Sequence, residues 1–433
     1  MKKNTVSLCL IVKNEEKCLA RCLESFKGVA DEICIIDTGS TDSTVSIAKK
    51  YDAKIDFFEW NNNFSDARNA SLALATKEWV IVVDADEYLR QEDKTVLLNA
   101  LKRVEFDGFL IKTLNFNQEG TNNHIVNLNQ RIFKNNGNFK YEGRIHEQVK
   151  YINAGLKVGG FATIDVGFFH TGYLRTEREE KQKNKRNLEI LSAAANEEPE
   201  SMFSLFNLAN ELSNDPTKKE EVLDLYNRAY EYRDFTAGFA PKLVMFRLLA
   251  MIRSNKFDEA LEAVADGLTI YPEFTDLVYQ RGIIEKKKGL ILKAIKSFEN
   301  AIAMGKPKAT LEFSKQSYGF GPYYYLGEIY EEQEIYDLAF NNYKKSLESD
   351  KTQYQLLSRM FDCLDKLAYS RNEIALAIGK FFNLNDDLNR VVYINILLEK
   401  LYHDEALSFL ESTGTWESEH LRQKLLQRAK KII

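Results

Sequence analysis

Trp79-Val80-Ile81-Val82-Val83-Asp84-Ala85-Asp86-Glu87 places five unbroken apolar residues directly before three carboxylates in four positions. A short continuous apolar run is the pattern of a strand buried on both faces. Carboxylates at its C-terminal end stand where open α/β sheets bind their ligands. Asp84 and Asp86 are two apart, and a turn at the strand end can bring both to one site. Two carboxylates so placed suit a divalent cation carrying a phosphorylated ligand.

Upstream of this strand the chain alternates between extended and helical patterns. Val6 to Val12 reads as a strand, and Cys18, Leu19, Cys22, Leu23 and Phe26 then fall at helical spacing. Glu32 to Asp37 is a second apolar strand, and Ser40 or Asp42 can cap a helix from Thr44 to Tyr51. Lys54 to Phe58 and Ser65 to Ala75 continue the alternation. The pattern predicts a parallel sheet with helices on both faces. Downstream, Asn135-Asn136-Gly137 marks a hairpin between 129–133 and 139–141.

Candidate site residues follow from this frame. Asp37 ends the second strand beside the loop Thr38-Gly39-Ser40-Thr41-Asp42-Ser43, where a carboxylate can accept from a ribose hydroxyl or a base N–H. Neither G-x-G-x-x-G nor G-x-x-x-x-G-K-[ST] is present, which leaves a diphosphate held by a metal rather than by a glycine cradle. Arg68 sits in the first turn of its helix, against the dipole, and an anionic or carbonyl-bearing ligand would account for that. Two of the five histidines lie in Gly143-Arg144-Ile145-His146-Glu147-Gln148 and Val166-Gly167-Phe168-Phe169-His170-Thr171-Gly172-Tyr173. A neutral imidazole can complete a metal shell, and a nearby glutamate can act as a general base.

Composition bounds the rest. With 433 residues, two or three domains are expected. The formal net charge of −5 argues against a nucleic-acid binder held by bulk charge. Five cysteines without C-x-x-C spacing fit a reducing compartment, read as cytoplasmic, and no zinc framework. The apolar run behind Lys2 and Lys3 is too short for a signal h-region, and no stretch reaches the ~18 apolar residues of a membrane span.

After residue 185 the strand pattern gives way to 3.6-residue periodicity. Gly282, Ala294 and Phe298 lie at offsets 0, 12 and 16, and Gly327, Ala339 and Tyr343 repeat those offsets. Ala260 and Ala294 are 34 apart, the tetratricopeptide period, whereas Ala294 to Ala339 is 45, implying an insertion around Pro307 to Gly321. The tyrosines from Tyr318 to Tyr325 are either a binding surface or core, with core favoured. Helices from Tyr354 to Ile433 keep the repeat poorly. The expected organisation is therefore an α/β domain over 1–185 and an all-α tetratricopeptide-like repeat domain over 186–433.

Together, Lys13-Asn14-Glu15-Glu16, Asp37-Thr38-Gly39-Ser40-Thr41-Asp42, Ala67-Arg68-Asn69 and Asp84-Ala85-Asp86 resemble family 2 glycosyltransferases of the GT-A fold. With Arg144-Ile145-His146-Glu147, His170-Thr171-Gly172-Tyr173 and the trailing repeats, the chain is similar to bacteriocin S-glycosyltransferases of the sublancin type. The resemblance implies an inverting, metal-dependent hexosyltransferase using a UDP-sugar, with glucose foremost, and a Cys or Ser side chain of a small ribosomal peptide as acceptor. It implies Glu15, Asp37 and Arg68 at the uridine, Asp84 at ribose or metal, and Asp86 and His170 on Mg²⁺ or Mn²⁺. It places Glu147 or His146 beside the acceptor as catalytic residue. A homodimer through the repeats is a further expectation. A lipopolysaccharide-core or other glycan acceptor, and a repeat scaffold with a degenerate transferase domain, are the competing readings. A nucleotidyltransferase is disfavoured because Lys13-Asn14-Glu15-Glu16 lacks a glycine-rich basic loop.

Overall fold

The computed structural model describes residues 4–116, 124–152, 159–170, 177–308, 310–414 and 416–430. The chain divides into two compact units, Met1–Asn214 and Asp215–Ile433. The first contains β1 (Val6–Val12), α1 (Leu19–Ser25), β2 (Glu32–Asp37), α2 (Thr44–Lys50), β3 (Lys54–Phe57), α3 (Phe64–Ala73) and β4 (Trp79–Val82). It continues through β5 (Glu87–Leu89), α4 (Asp93–Ala100), β6 (Gly108–Phe116), β7 (His124–Lys134), β8 (Phe139–Glu142), β9 (Gln148–Tyr151) and β10 (Phe161–His170). Two helices, α5 (Glu177–Glu197) and α6 (Met202–Leu212), complete it.

Eight strands form one sheet in the order β3-β2-β1-β4-β7-β6-β10-β5. The first four are parallel, as their alternation with helices predicts, but β7 enters antiparallel to both β4 and β6. The sheet is therefore mixed rather than wholly parallel. β1 lies between β2 and β4, so the strand order reverses there and opens a crevice at the strands' carboxyl ends. The pleat divides the apolar runs between two cores. Leu8, Leu10, Ile81 and Val83 face one core with Leu19 and Leu23 of α1. Cys9, Val80 and Val82 face the other with Leu72 of α3.

The hairpin expected around Asn135-Asn136-Gly137 does not form. The turn is there, with Gly137 at φ 76°. However, β4 and β6 flank β7 on both sides and leave it no edge for β8. β8 pairs instead with β9 in a separate two-stranded sheet. The short strand β5 directly follows the acidic turn. Its three residues give too little alternation to read from sequence.

Glu32 ties three strands together at the base of the sheet. Its carboxylate accepts from Ser7 Oγ (2.5 Å), Lys54 Nζ (2.6 Å), Thr76 N (2.5 Å) and Thr76 Oγ1 (2.8 Å). Burial alone would raise its pKa, but the bonds from Lys54, Ser7 and Thr76 bring it down to about 2. A depressed folded-state pKa contributes stability above the unfolded value, and that stability is lost as pH falls through the folded one. Glu32→Gln is expected to lower the unfolding free energy by about 2 kcal/mol at pH 7. The gap from the parent should close between roughly pH 4.5 and 2, as read by denaturant melts across pH.

The boundary expected at 185/186 falls inside α5, and the first compact unit runs on through α6. One reason is a bidentate ion pair: Arg144, in the loop before β9, holds Glu197 at 2.7 and 2.6 Å.

The second unit is all helical. It comprises α7 (Lys219–Glu231), α8 (Ala240–Arg253), α9 (Phe257–Ile270), α10 (Thr275–Lys287), α11 (Ile291–Met304) and α12 (Phe320–Glu332). Then follow α13 (Tyr336–Ser349), α14 (Gln355–Lys366), α15 (Arg371–Gly379), α16 (Asp387–Glu399), α17 (His403–Ser412) and α18 (Glu419–Lys430). The predicted crossings are real. A Cβ on Gly282 would lie 2.7 Å from the Phe298 ring, and one on Gly327 2.5 Å from Tyr343. In the insertion, Ser314 N (2.9 Å) and Ser317 Oγ (2.6 Å) donate to the fully buried Asp276. Tyr325 stacks on Phe298 at 5.2 Å, and the tyrosines Tyr318 to Tyr325 are half-buried.

The repeat also persists beyond Tyr354, contrary to the sequence reading. Asn255, Gly289, Glu334, Ala368 and Leu401 all have positive φ, spaced 34, 45, 34 and 33 apart. Each is followed by an N–H that bonds five residues back: Lys256 to Met251, Leu290 to Glu285, Ile335 to Tyr330, Tyr369 to Leu364 and Tyr402 to Leu397. The same capped turn thus joins α8–α9, α10–α11, α12–α13, α14–α15 and α16–α17. The period was hard to see because Ala368 and Leu401 occupy a position that favours glycine. Leu401 is 62% exposed at φ 64°. Leu401→Gly is therefore expected to stabilise this unit by about 0.5–1 kcal/mol, after the entropy glycine adds to the unfolded chain. Calorimetry would register it as a rise in the unit's Tm.

Candidate active site

The loops after β1 and β2 lock onto each other at the crevice. Asn14, at φ 57°, donates from its N–H to Ser40 Oγ (2.9 Å) and accepts at Oδ1 from Thr41 N (2.8 Å). Glu15 N donates to Thr44 Oγ1 (2.7 Å), and Glu16 and Asp42 exchange bonds with each other's loops. Asp42 Oδ1 also accepts from Thr44 N at 2.9 Å at the start of α2. Within this frame Asp37 is 2% exposed. Its Oδ1 accepts from Gly39 N and Ser40 N, both at 2.9 Å. Its buried Oδ2 has no hydrogen-bond partner among the described residues. Such an acceptor is costly to leave unmade and suits a ligand N–H. The half-buried Glu15 accepts the Cys18 thiol proton at 3.0 Å.

Beyond Val83 the chain turns. Glu87 N donates to Asp84 O, and Asp84 N donates to Glu87 Oε2, both at 2.9 Å. Both oxygens of the Asp84 carboxylate are engaged. Arg68 Nη2 reaches Oδ1 at 2.8 Å and Arg131 Nη2 reaches Oδ2 at 2.9 Å. Burial opposes ionisation of Asp84, but the guanidiniums of Arg131 and Arg68 hold its pKa well below the usual carboxylate range. Glu87, 2% exposed, is pushed up to about 7 by burial, against the pull of Arg131 3.6 Å away. Asp86 is half-buried, and its charge is felt at Cys18, just before α1, and at Cys22 within it.

Arg68 does not lie open toward a base. Its side chain is 7% exposed and bridges Asp84 to Glu147, whose Oε1 accepts from Nε at 2.5 Å. Glu147 is accordingly an ion-pair partner, with a side chain 12% exposed, rather than a free carboxylate waiting for a proton. His146 beside it is exposed at φ 56°. Partial desolvation shifts its pKa downward, against the opposing charges of Glu147 and Glu211. The sequence reading missed Arg131. It sits mid-strand in β7, where nothing distinguishes it from a solvated charge until β7 is seen to pair with β4.

The backbone of His170 closes β10 directly opposite Glu87, one residue from Asp86. The His170 side chain and Thr171-Gly172-Tyr173 lie outside the described residues. Both oxygens of Asp84 are engaged by guanidiniums, and Asp86 follows two residues on in the same turn. Among the described residues no three acidic, cysteine or histidine side chains converge into a protein-only cage. One carboxylate completed by ligand phosphates and water is a common arrangement for Mg²⁺.

The chain is 32% identical over 286 residues to the SPbeta prophage-derived glycosyltransferase SunS of Bacillus subtilis. That alignment spans 65% of this chain and 66% of the relative, just under two thirds of its length. A TPR repeat-containing protein of Synechococcus elongatus is 38% identical over 146 residues, 33% of this chain and 35% of its own. The crystal structure of S. aureus TarS aligns at a TM-score of 0.36 with 17% identity, over 59% of this chain and 54% of that one, too weak a likeness to carry an argument. No helix among the described residues is long and apolar enough to cross a membrane. A profile of glycosyl transferase family 2 matches residues 7–172, and over those residues the chain is similar to the glycosyltransferases of that family.

Proposed function

We propose that this chain is an inverting glycosyltransferase that moves a hexose from a UDP-sugar to a Cys or Ser side chain of a small ribosomal peptide. The observation that supports it most is the buried, half-satisfied Asp37 at the same crevice as the braced Asp84-Ala85-Asp86 turn. In this reading Asp37 Oδ2 accepts the uracil N–H, and Glu15 lines the nucleoside. Asp86 and His170 would hold Mg²⁺ or Mn²⁺, which when bound offsets the charge developing on the departing diphosphate. Arg68 braces Asp84 instead of touching uridine. In this reading His146, exposed beside the crevice, accepts the acceptor's proton. A thiol, with a pKa of about 8.5, needs less help from that base than a hydroxyl does. The peptide acceptor is supported by the sequence resemblance to bacteriocin S-glycosyltransferases and by helical repeats that commonly bind peptides.

The test offers a panel of UDP-sugars with Mg²⁺ to the full chain and a synthetic peptide containing one Cys and one Ser. Intact mass is read before and after thiol blocking. The reading expects a one-hexose gain that disappears when the Cys is blocked. A gain that survives blocking contradicts S-linkage, and no donor consumption with any UDP-sugar contradicts the assignment as a whole.

A further inference from the structure

Five charged side chains form one alternating chain through the domain: Glu147, Arg68, Asp84, Arg131 and Glu87. The separations are 2.5 Å from Glu147 to Arg68, 2.8 Å from Arg68 to Asp84, 2.9 Å from Asp84 to Arg131 and 3.6 Å from Arg131 to Glu87. Glu87 closes the circuit by accepting the Asp84 N–H at 2.9 Å. The members come from five separate places: the loop before β9, α3, the turn after β4, β7 and β5. The loop carrying Glu147 is itself pinned to the start of α3. Phe64 N donates to Arg144 O (2.8 Å), and Ser65 Oγ donates to Gly143 O (2.6 Å).

This arrangement speaks against Glu147 as the proton acceptor of the reaction. Glu147 Oε1 is engaged by the buried Arg68 at 2.5 Å, and the side chain is only 12% exposed, so it is turned to its ion-pair partner rather than to an incoming acceptor. It is well placed for something else. Arg68 has two acidic partners, and their spacing sets its rotamer. Asp84 has two guanidinium partners, and they fix both its oxygens. The turn that ends in Asp86 is then held from both sides.

We propose that Glu147 and Arg131 are positioning residues of the transferase site: through Arg68 and Asp84 they fix the turn that presents Asp86 to the donor. This rests on the donor-site reading above. It concerns how the turn is held, whereas the fold alone would be served by any pairing that neutralises these charges.

The test uses the full chain as wild type, Glu147→Gln, Glu147→Asp and Arg131→Lys, with circular dichroism confirming the fold. Titration calorimetry gives the Kd for UDP in the presence of Mn²⁺. Donor hydrolysis and peptide transfer are followed separately across pH. The positioning role expects Glu147→Gln and Arg131→Lys each to weaken UDP·Mn²⁺ binding about tenfold. Hydrolysis and transfer should fall together, with the pH profile unmoved, and Glu147→Asp, one methylene too short for Arg68, should not restore them. If Glu147→Gln leaves Kd and hydrolysis at the wild-type level while transfer falls a hundredfold, Glu147 is the base and its positioning role is overturned. An unchanged Kd in Arg131→Lys overturns the role of Arg131. A wild-type chain that binds no UDP with Mn²⁺ overturns the donor-site reading itself, and this role with it.

Discussion

Arg68→Met is expected to lower the stability of the first compact unit by about 3 kcal/mol, near the lower end for breaking a buried ion pair. Arg68 is 7% exposed and its partners Asp84 and Glu147 are 36% and 12% exposed. Losing it leaves two carboxylates facing each other across the space it filled. The estimate stays at the lower end because Asp84 is a third open to water and keeps Arg131. Arg68→Lys should recover little, since an ammonium is a single point of charge and cannot span two acids as the planar fork does. Differential scanning calorimetry is the appropriate readout, because the chain has two units. The transition of Met1–Asn214 should move down, and that of Asp215–Ile433 should stay. Equal shifts in both would mean that the brace is not local to the transferase domain.

The second large effect is expected from Asp86→Asn, with the opposite signature. Asp86 is half-buried, while the ion pairs that close the turn belong to Asp84, Arg131 and Glu87. Asparagine has the same shape as aspartate, so stability should change by less than about 1 kcal/mol. Donor consumption should fall by roughly 10²–10³-fold, the usual scale for removing one group that stabilises developing charge. Initial-rate assays at saturating UDP-sugar, beside a thermal melt, separate the two effects. A variant with parental rates would remove Asp86 from the chemistry. A variant that is inactive only because it is unfolded would make Asp86 part of the scaffold.

These two residues also show what the sequence discloses. Asp86 and Asp37 stand out in the sequence because a carboxylate just after an apolar strand has few structural duties, and the structure sets both at the carboxyl ends of the strands, where the proposed site lies. The role of Arg68 does not stand out. Its place in the first turn against the helix dipole signalled a reason, and the sequence suggested a ligand. In the structure its guanidinium reaches two acids, 16 and 79 positions away. Arg131 was invisible, because its function depends on β7 inserting antiparallel beside β4. That pairing joins segments about fifty residues apart, which no local periodicity encodes.

The repeat domain shows a similar division. Glycine at 282 and 327, with aromatic partners sixteen residues on, betrayed two crossings because only glycine admits such close approach. The later turns at Ala368 and Leu401 keep the backbone of the motif without its residues, so their signal lies in φ rather than in composition. The division between the units lies later than the end of the strand pattern at residue 185, because the helices α5 and α6 belong to the first unit. Arg144 holding Glu197 makes α5 part of the first unit.

The central claim is that the crevice at the end of β1, β2 and β4 binds a nucleoside diphosphate through a metal held at Asp86. Its most direct test is the equilibrium affinity of the full chain for UDP, measured by titration calorimetry with Mn²⁺, with EDTA, and in Asp86→Asn with Mn²⁺. Binding with Mn²⁺ is expected to weaken at least tenfold on chelation and equally in the variant. UDP affinity that is the same in all three conditions, or undetectable in the first, would contradict it.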